Sequence, residues 1–209
     1  VLLKLADYPG SLQATAPLLE SLAREPAGGD FVDLYLQRAA AHVELARQQS
    51  RAIAGQAPTP TEQEAIEREC TLGRTDIAAY LERQPQGPLV GQAWSLTAIA
   101  AALAGDKPQV TAALQTLAEK FPATPDRETA LLEVGEIAYA RDDFAFAEQV
   151  YTELVGVTKD PQRRPRALVD LGWSRARQER HPEAVPAFRQ LETEFPNHAL
   201  TPEGSFMVG

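Results

Sequence analysis

The sequence predicts an all-α protein built as a solenoid of antiparallel helix pairs, and three observations carry that prediction. Residues of matching size and polarity recur at an interval of 37. Within each interval, apolar residues fall at helical spacing in two runs joined by a short polar turn. Proline-containing loops separate the intervals, where a missing N–H and a fixed φ end a helix. Self-similarity at such a period is the signature of repeat architectures, in which each unit buries its apolar face on the next.

From the N terminus, residues 1–29 read as a partial unit. Leu2 to Ala6 would be the remnant of a first helix, and Ala14, Leu18 and Pro26 fit the second helix of a pair. Residues 30–88 read as a divergent, elongated helical hairpin. Asp30, following Gly28 and Gly29, is placed to cap a helix running to about Ala54, roughly 37 Å long at 1.5 Å per residue. Thr59, Pro60 and Glu62 then supply an N-cap, a first-turn proline and a capping-box carboxylate for a helix toward Glu82, in which Gly73 is a candidate break. Ile77, Tyr80 and Pro85 precede Leu114, Leu117 and Pro122 by the same interval, which ties the hairpin to the stack.

Residues 89–204 hold three units, 91–127, 128–164 and 165–201. Their columns are Trp94, Leu131 and Leu168; Ala98, Gly135 and Gly172; Val110, Ala147 and Ala184; Leu114, Tyr151 and Phe188; and Leu117, Leu154 and Leu191. Helices are predicted near 91–104, 108–121, 128–140, 144–156, 165–179 and 183–195. The turns within units are Gly105-Asp106-Lys107-Pro108, Arg141-Asp142-Asp143 and Glu179-Arg180-His181-Pro182. Pro122 and Pro125, Pro161 and Pro165, and Pro196 and Pro202 close the units. Glycine inside a helix costs up to about 1 kcal/mol against alanine, so Gly135 and Gly172 imply close approach. Each is expected to face Ala147 or Ala184 of its partner helix, with Tyr151 or Phe188 filling space toward the neighbouring unit. Residues 205–209 (Phe206, Met207, Val208 and Gly209 after Ser205) read as the start of a further unit, with Gly209 in the glycine column. The solenoid then reads as truncated at both ends, with the face of Phe188 and Leu191 uncovered and open to self-association.

Charge and composition exclude classes of partner. A formal net charge of −9 opposes nucleic-acid binding, which draws most of its affinity from clustered Lys and Arg. No run of about 18 apolar residues offers a membrane-spanning segment. With 44% hydrophobic and 23% charged residues, the chain can bury a real core. Cys70, the single cysteine, can form neither an internal disulfide nor a Cys-rich zinc site, and reads as a small, half-buried helix residue. Arg163, Arg164, Arg166, Arg175, Arg177 and Arg180 form a basic patch. It either grips an acidic peptide or a phosphate group or is the exposed arginine common on helical repeats.

In Leu168-Val169-Asp170-Leu171-Gly172, Ala184, Phe188 and Pro196, a small residue is followed by an alanine twelve positions on, an aromatic four after that and a closing proline. This arrangement resembles the tetratricopeptide repeat. That family's usual period is about 34 residues, and the surplus here lies between units, from Pro122 to Glu128. The runs Ala147-Glu148-Gln149-Val150-Tyr151 and Phe188 to Asn197 resemble more narrowly the repeats of bacterial envelope proteins of the outer-membrane assembly lipoprotein and Tol-Pal coordinator types. The resemblance implies a right-handed superhelical solenoid and a periplasmic, non-catalytic scaffold or adaptor. It would bind protein or peptide segments in a concave groove, within a larger multi-repeat protein. The alternative is the accessory repeat region of an enzyme whose catalytic domain lies outside these residues.

In such arrays the groove is lined by the first helices of the units. Off their core faces lie Gln92, Ser95 and Ile99, then Glu133, Glu136 and Tyr139, then Arg166, Asp170, Trp173 and Arg177. Tyr139 and Trp173 stand out because aromatic residues anchor interfaces disproportionately, although Trp173 reads equally well as packing between helices. The family's clamp for chaperone carboxylate tails uses asparagine where this chain has Ile99, Glu136 and Trp173, which argues against that ligand. A mixed groove suits an amphipathic helix or an extended partner segment. No catalytic motif, cofactor site or metal site is expected. His42, His181 and His198 are scattered, and Glu133 with Glu136 reads as a solvated pair rather than an acid–base couple.

Overall fold

Among the described residues (7–22, 31–53, 58–202 and 204), the computed structural model contains nine α-helices and no strand. They are α1 (Tyr8–Leu22), α2 (Asp33–Ala52), α3 (Pro60–Arg83), α4 (Val90–Ala104), α5 (Lys107–Lys120), α6 (Pro125–Ala140), α7 (Phe144–Val157), α8 (Arg163–Ala176) and α9 (His181–Glu194). The chain divides into two compact units, Val1–Arg127 and Glu128–Gly209. Leu2 to Ala6, Pro26, Asp30, Ala54 and residues 205–209 lie outside the described residues.

In the N-terminal unit, α2 and α3 run antiparallel over 20 and 24 residues. Their pairing is read from Arg38 on Asp76 and His42 on Glu69. Helix α3 starts as its sequence dictates. The Thr59 side chain accepts from the Glu62 N–H and the Glu62 carboxylate accepts from the Thr59 N–H at 2.8 Å, with Pro60 in the first turn. Gly73 does not break the helix. It is buried against α2, where an added Cβ would lie 3.4 Å from the Ala39 carbonyl oxygen and from Val43, so the missing side chain serves close approach. Cys70 is wholly buried rather than half-buried. In α1 the buried positions are Ser11, Thr15 and Leu19, whereas Ala14 and Leu18 are exposed. The expected register is therefore corrected, because the helix turns one residue further round toward the cluster of Leu19, Val32, Tyr35 and Leu36.

Within three of the 37-residue columns, burial is consistent. Val110, Ala147 and Ala184 are buried, as are Leu114, Tyr151 and Phe188, and Leu117, Leu154 and Leu191 are fully enclosed. The glycine column is tighter than expected and faces a different neighbour. A Cβ on Gly135 would meet the Tyr151 ring at 2.6 Å, and one on Gly172 would meet the Phe188 ring at 2.5 Å. The ring therefore presses on its own unit's glycine, and the Tyr151 hydroxyl also comes under the charges of Asp170 and Arg166 in the following interval. Where the aromatic is replaced by Leu114, the glycine is replaced by Ala98.

The turns obey a second column. Gly105, Asp142 and Glu179, each one interval apart, all adopt positive φ (79°, 58° and 62°). In each turn the next residue's N–H returns to a carbonyl five positions back: Asp106 to Ala101, Asp143 to Ala138 and Arg180 to Arg175. Helices α5 and α7 are then capped by Asp106 and Asp143, whose side chains accept from Gln109 and Phe146 at 3.2 Å. Helix α8 ends at Ala176, short of the expected 179, because this left-handed turn needs Arg177 to Glu179.

In the C-terminal unit, α6 and α7 run antiparallel, with Glu128 on Thr158 and Gly135 on Tyr151. Helices α8 and α9 do the same, with Arg164 on Glu194 and Gly172 on Phe188. The expectation that Phe188 and Leu191 lie uncovered is overturned, since both are fully buried. After α9 the chain folds back, the Thr201 hydroxyl donates to the Phe195 carbonyl at 2.6 Å, and Leu200 packs on Leu168, Val169 and Leu191. Gly204 lies against the same surface, a Cβ there falling 3.2 Å from Leu191.

Candidate functional site

The expected groove divides between the units. In the N-terminal unit only Gln92 of its three α4 residues reaches solvent, for Ser95 and Ile99 are 4% and 3% exposed. Those two positions are corrected: α4 is predominantly apolar and buried from Thr97 to Leu103, so beyond its first turns it offers no polar face to a partner.

In the C-terminal unit six of the seven expected residues lie on two neighbouring helices, α6 and α8, and Arg177 caps the end of α8. Helices α6 and α8 run parallel, as the contacts Glu128 with Arg163, Glu136 with Arg166 and Asp142 with Arg177 require. The parallel alignment follows from the repeat, since both are the first helices of successive units. Arg166 bonds Asp170 at 2.8 Å across one helical turn and reaches Glu136 at 3.4 Å. Asp170's charge, followed by its hydrogen bond and Glu136, holds the Arg166 guanidinium above its ordinary value against the opposing effect of burial. Beneath them, burial pushes the Tyr151 hydroxyl well up, and the charges of Asp170 and Glu136 add to the effect. Tyr151 is thus neutral throughout the physiological range.

The aromatics of this face are half-buried. Tyr139 meets Phe144 edge to face at 5.1 Å, and Trp173 meets Phe188 at 5.8 Å. Trp173 packs between helices, with part of its ring left at the surface. Arg177 lies over the Phe144 ring, 4.5 Å from its centroid. Asp142, in the turn after α6, and Phe144, the first residue of α7, also belong to this face, and their place directly after α6 is the signal the sequence offers for them.

The basic patch dissolves into ion pairs. Arg163 pairs with Glu128 and Asp160, Arg164 with Glu194, Arg175 with Glu148, and Arg180 with Glu148 and Glu183. Burial alone would raise the Glu148 carboxyl, but hydrogen bonds from Arg175 and Gln178 and the charge of Arg180 hold it below its ordinary value. These arginines are structural ties, and only Arg166 and Arg177 remain more than half exposed among those paired here.

The histidines lie apart. His42 is buried with Nδ1 2.8 Å from Glu69, His181 opens α9 in solvent, and His198 accepts from the Leu200 N–H. Among the described residues, no three His, Cys, Asp or Glu side chains are grouped to hold a metal ion, and no helix is long and apolar enough to cross a membrane. Comparison with known proteins finds no matching family model and no detectably similar curated protein.

Proposed function

We propose that the chain is a tetratricopeptide-type scaffold, its units stacking in a right-handed superhelix, that binds protein segments on the α6/α8 face. The observation that carries this reading is the parallel alignment of two first helices presenting Glu133, Glu136, Tyr139, Arg166, Asp170, Trp173 and Arg177 together. Charges of both signs beside two half-exposed aromatics suit an amphipathic partner helix, whose apolar side would rest on Tyr139 and Trp173 while its charges exchange with the surface pairs. The exchange is cheap, because surface ion pairs contribute only about 0–1 kcal/mol each.

The test is selection from a displayed library of amphipathic helical peptides on the whole chain. Selected peptides should bind at least about tenfold more weakly to Arg177→Glu or Trp173→Ala, with the helical spectrum of each variant unchanged. Peptides indifferent to both substitutions, or no selection at all, would remove the α6/α8 face as the binding surface.

A further inference from the structure

The N-terminal unit contains a half-open cleft of about 420 Å³, lined by Leu81, Pro85, Gln86, Gly87, Val90, Trp94, Lys120 and Phe121. Its origin lies in the repeat. Two intervals further on, the columns of Val90 and Lys120 are occupied by Arg164 and Glu194. There the arginine joins the two helix ends, donating to Glu194 at 2.6 and 3.1 Å and also to the Val155 and Thr158 carbonyls. Val90 can do none of this, and among the described residues Lys120 forms no ion pair; the nearby Asp126 carboxylate is turned toward Gly91, beside Phe121, where burial raises its pKa. The column of Trp94 tells the same story: Leu131 and Leu168 are fully buried, whereas Trp94 is left partly open on the cleft wall.

Two donors are consequently unused. Among the described residues, neither the Lys120 ammonium nor the Trp94 indole N–H has a hydrogen-bond or ion-pair partner, while the arginines of the C-terminal unit are paired almost throughout. Apolar walls with a cation at the rim complement an apolar group that carries a carboxylate. The volume falls within the range of about 300–1,000 Å³ typical of ligand sites, and the open side lets a chain enter and leave.

We infer that this cleft binds an extended segment of a partner protein, with a bulky apolar side chain against Trp94, Val90 and Phe121 and an adjacent Asp or Glu on Lys120. The site is separate from the α6/α8 face, though it rests on the same reading of the chain as a protein-binding repeat. A free fatty acid fits less well, since a half-open cleft would leave its chain in water.

The test pans a displayed library of random seven-residue segments on the whole chain. The expected consensus places Asp or Glu one or two residues from Leu, Ile or Phe. In a Trp173→Phe background Trp94 is the sole tryptophan, and its emission should shift and saturate as a selected peptide is added. Lys120→Glu, at an exposed position, should weaken that peptide about five- to tenfold, a fully reversed rim charge. Replacing the peptide's acid by its amide should weaken binding to the parent and leave binding to Lys120→Glu unchanged or tighter, because it removes a like-charge contact there. Several outcomes overturn the inference: no enrichment, enriched peptides without a carboxylate, a Trp94 emission that does not move, or displacement by dodecanoate with no peptide enriched. Self-association that Lys120→Glu abolishes would give the cleft to a second copy and overturn it likewise. Selected peptides that respond to Arg177→Glu but not to Lys120→Glu would sink the cleft and leave the α6/α8 face standing.

Discussion

At the scale of the residue, the contact between glycine and aromatic ring is the feature that most constrains the sequence. Alanine at Gly172 would gain about 1 kcal/mol of helix propensity, but its Cβ would sit 2.5 Å from a Phe188 ring that has no exposed surface and is braced edge-on by Trp173. The ring would have to shift within a closed core. Gly172→Ala should therefore cost about 1–3 kcal/mol, the usual penalty of overpacking, measured by denaturant unfolding. The pair Ala98 and Leu114 shows how the same column is otherwise filled, and it makes the prediction sharper. In a Phe188→Leu background the ring is gone, so Gly172→Ala should become neutral or stabilising. An equal loss in both backgrounds would mean that the ring is not what the glycine accommodates. The sequence alone identified the glycine but misjudged its neighbour, because periodicity shows which positions recur and not which way a side chain leans.

At the scale of the element, the left-handed turn explains where helices stop and why one turn is strained. Only Gly105 meets the positive φ of its column without a steric penalty; Asp142 and Glu179 adopt it with a Cβ, which costs about 1 kcal/mol or more. Asp tolerates the region better than Glu. Glu179 is exposed, so Glu179→Gly should stabilise the C-terminal unit by about 0.5–1 kcal/mol, the relief of strain being partly offset by a freer unfolded chain. A lowered melting temperature in that variant would contradict the turn geometry. The helix pairs were legible in the sequence because recurrence, proline loops and the Thr59-Glu62 cap all speak through local chemistry. Less was legible of the candidate site. Counting around α4 puts Ser95 and Ile99 on the groove, yet most of that helix is buried and only its first turns, at Gln92 and Trp94, reach solvent. The Arg163–Arg180 patch looked free because its acids, Glu128, Glu148 and Glu194, lie about 30 residues away in sequence. The Val90–Lys120 cleft was invisible for the opposite reason, since it is made by an ion pair that is missing.

At the scale of the whole molecule, a net charge of −9 is spread over a surface whose arginines are largely consumed by their own carboxylates, and this sets the response to acid. Glu148 is the hub, accepting from Arg175 at 2.9 Å, Gln178 at 3.0 Å and Arg180 at 2.5 Å, and so tying α7 to the end of α8 and to the turn before α9. Burial works against its charge, but these donors outweigh burial and its pKa is lowered from the ordinary 4.5. Glu194, held by Arg164 and Gln190, is lowered too. A carboxyl whose folded pKa lies below its unfolded one contributes its stability in full above the unfolded value, and loses it as the pH falls through the folded value. The C-terminal unit should therefore be most stable above about pH 5 and weaken progressively below about pH 4.5. Glu148→Gln keeps the shape while removing the charge. At neutral pH it should destabilise the chain by about 1–2 kcal/mol, the loss of hydrogen bonds to a charged group. As the pH falls below the ordinary carboxylate range and the parent's own Glu148 becomes protonated, the gap between the two proteins should narrow. A gap of constant size from neutral pH down to the pH at which the parent itself unfolds in acid would show that Glu148 acts by packing and not by its charge.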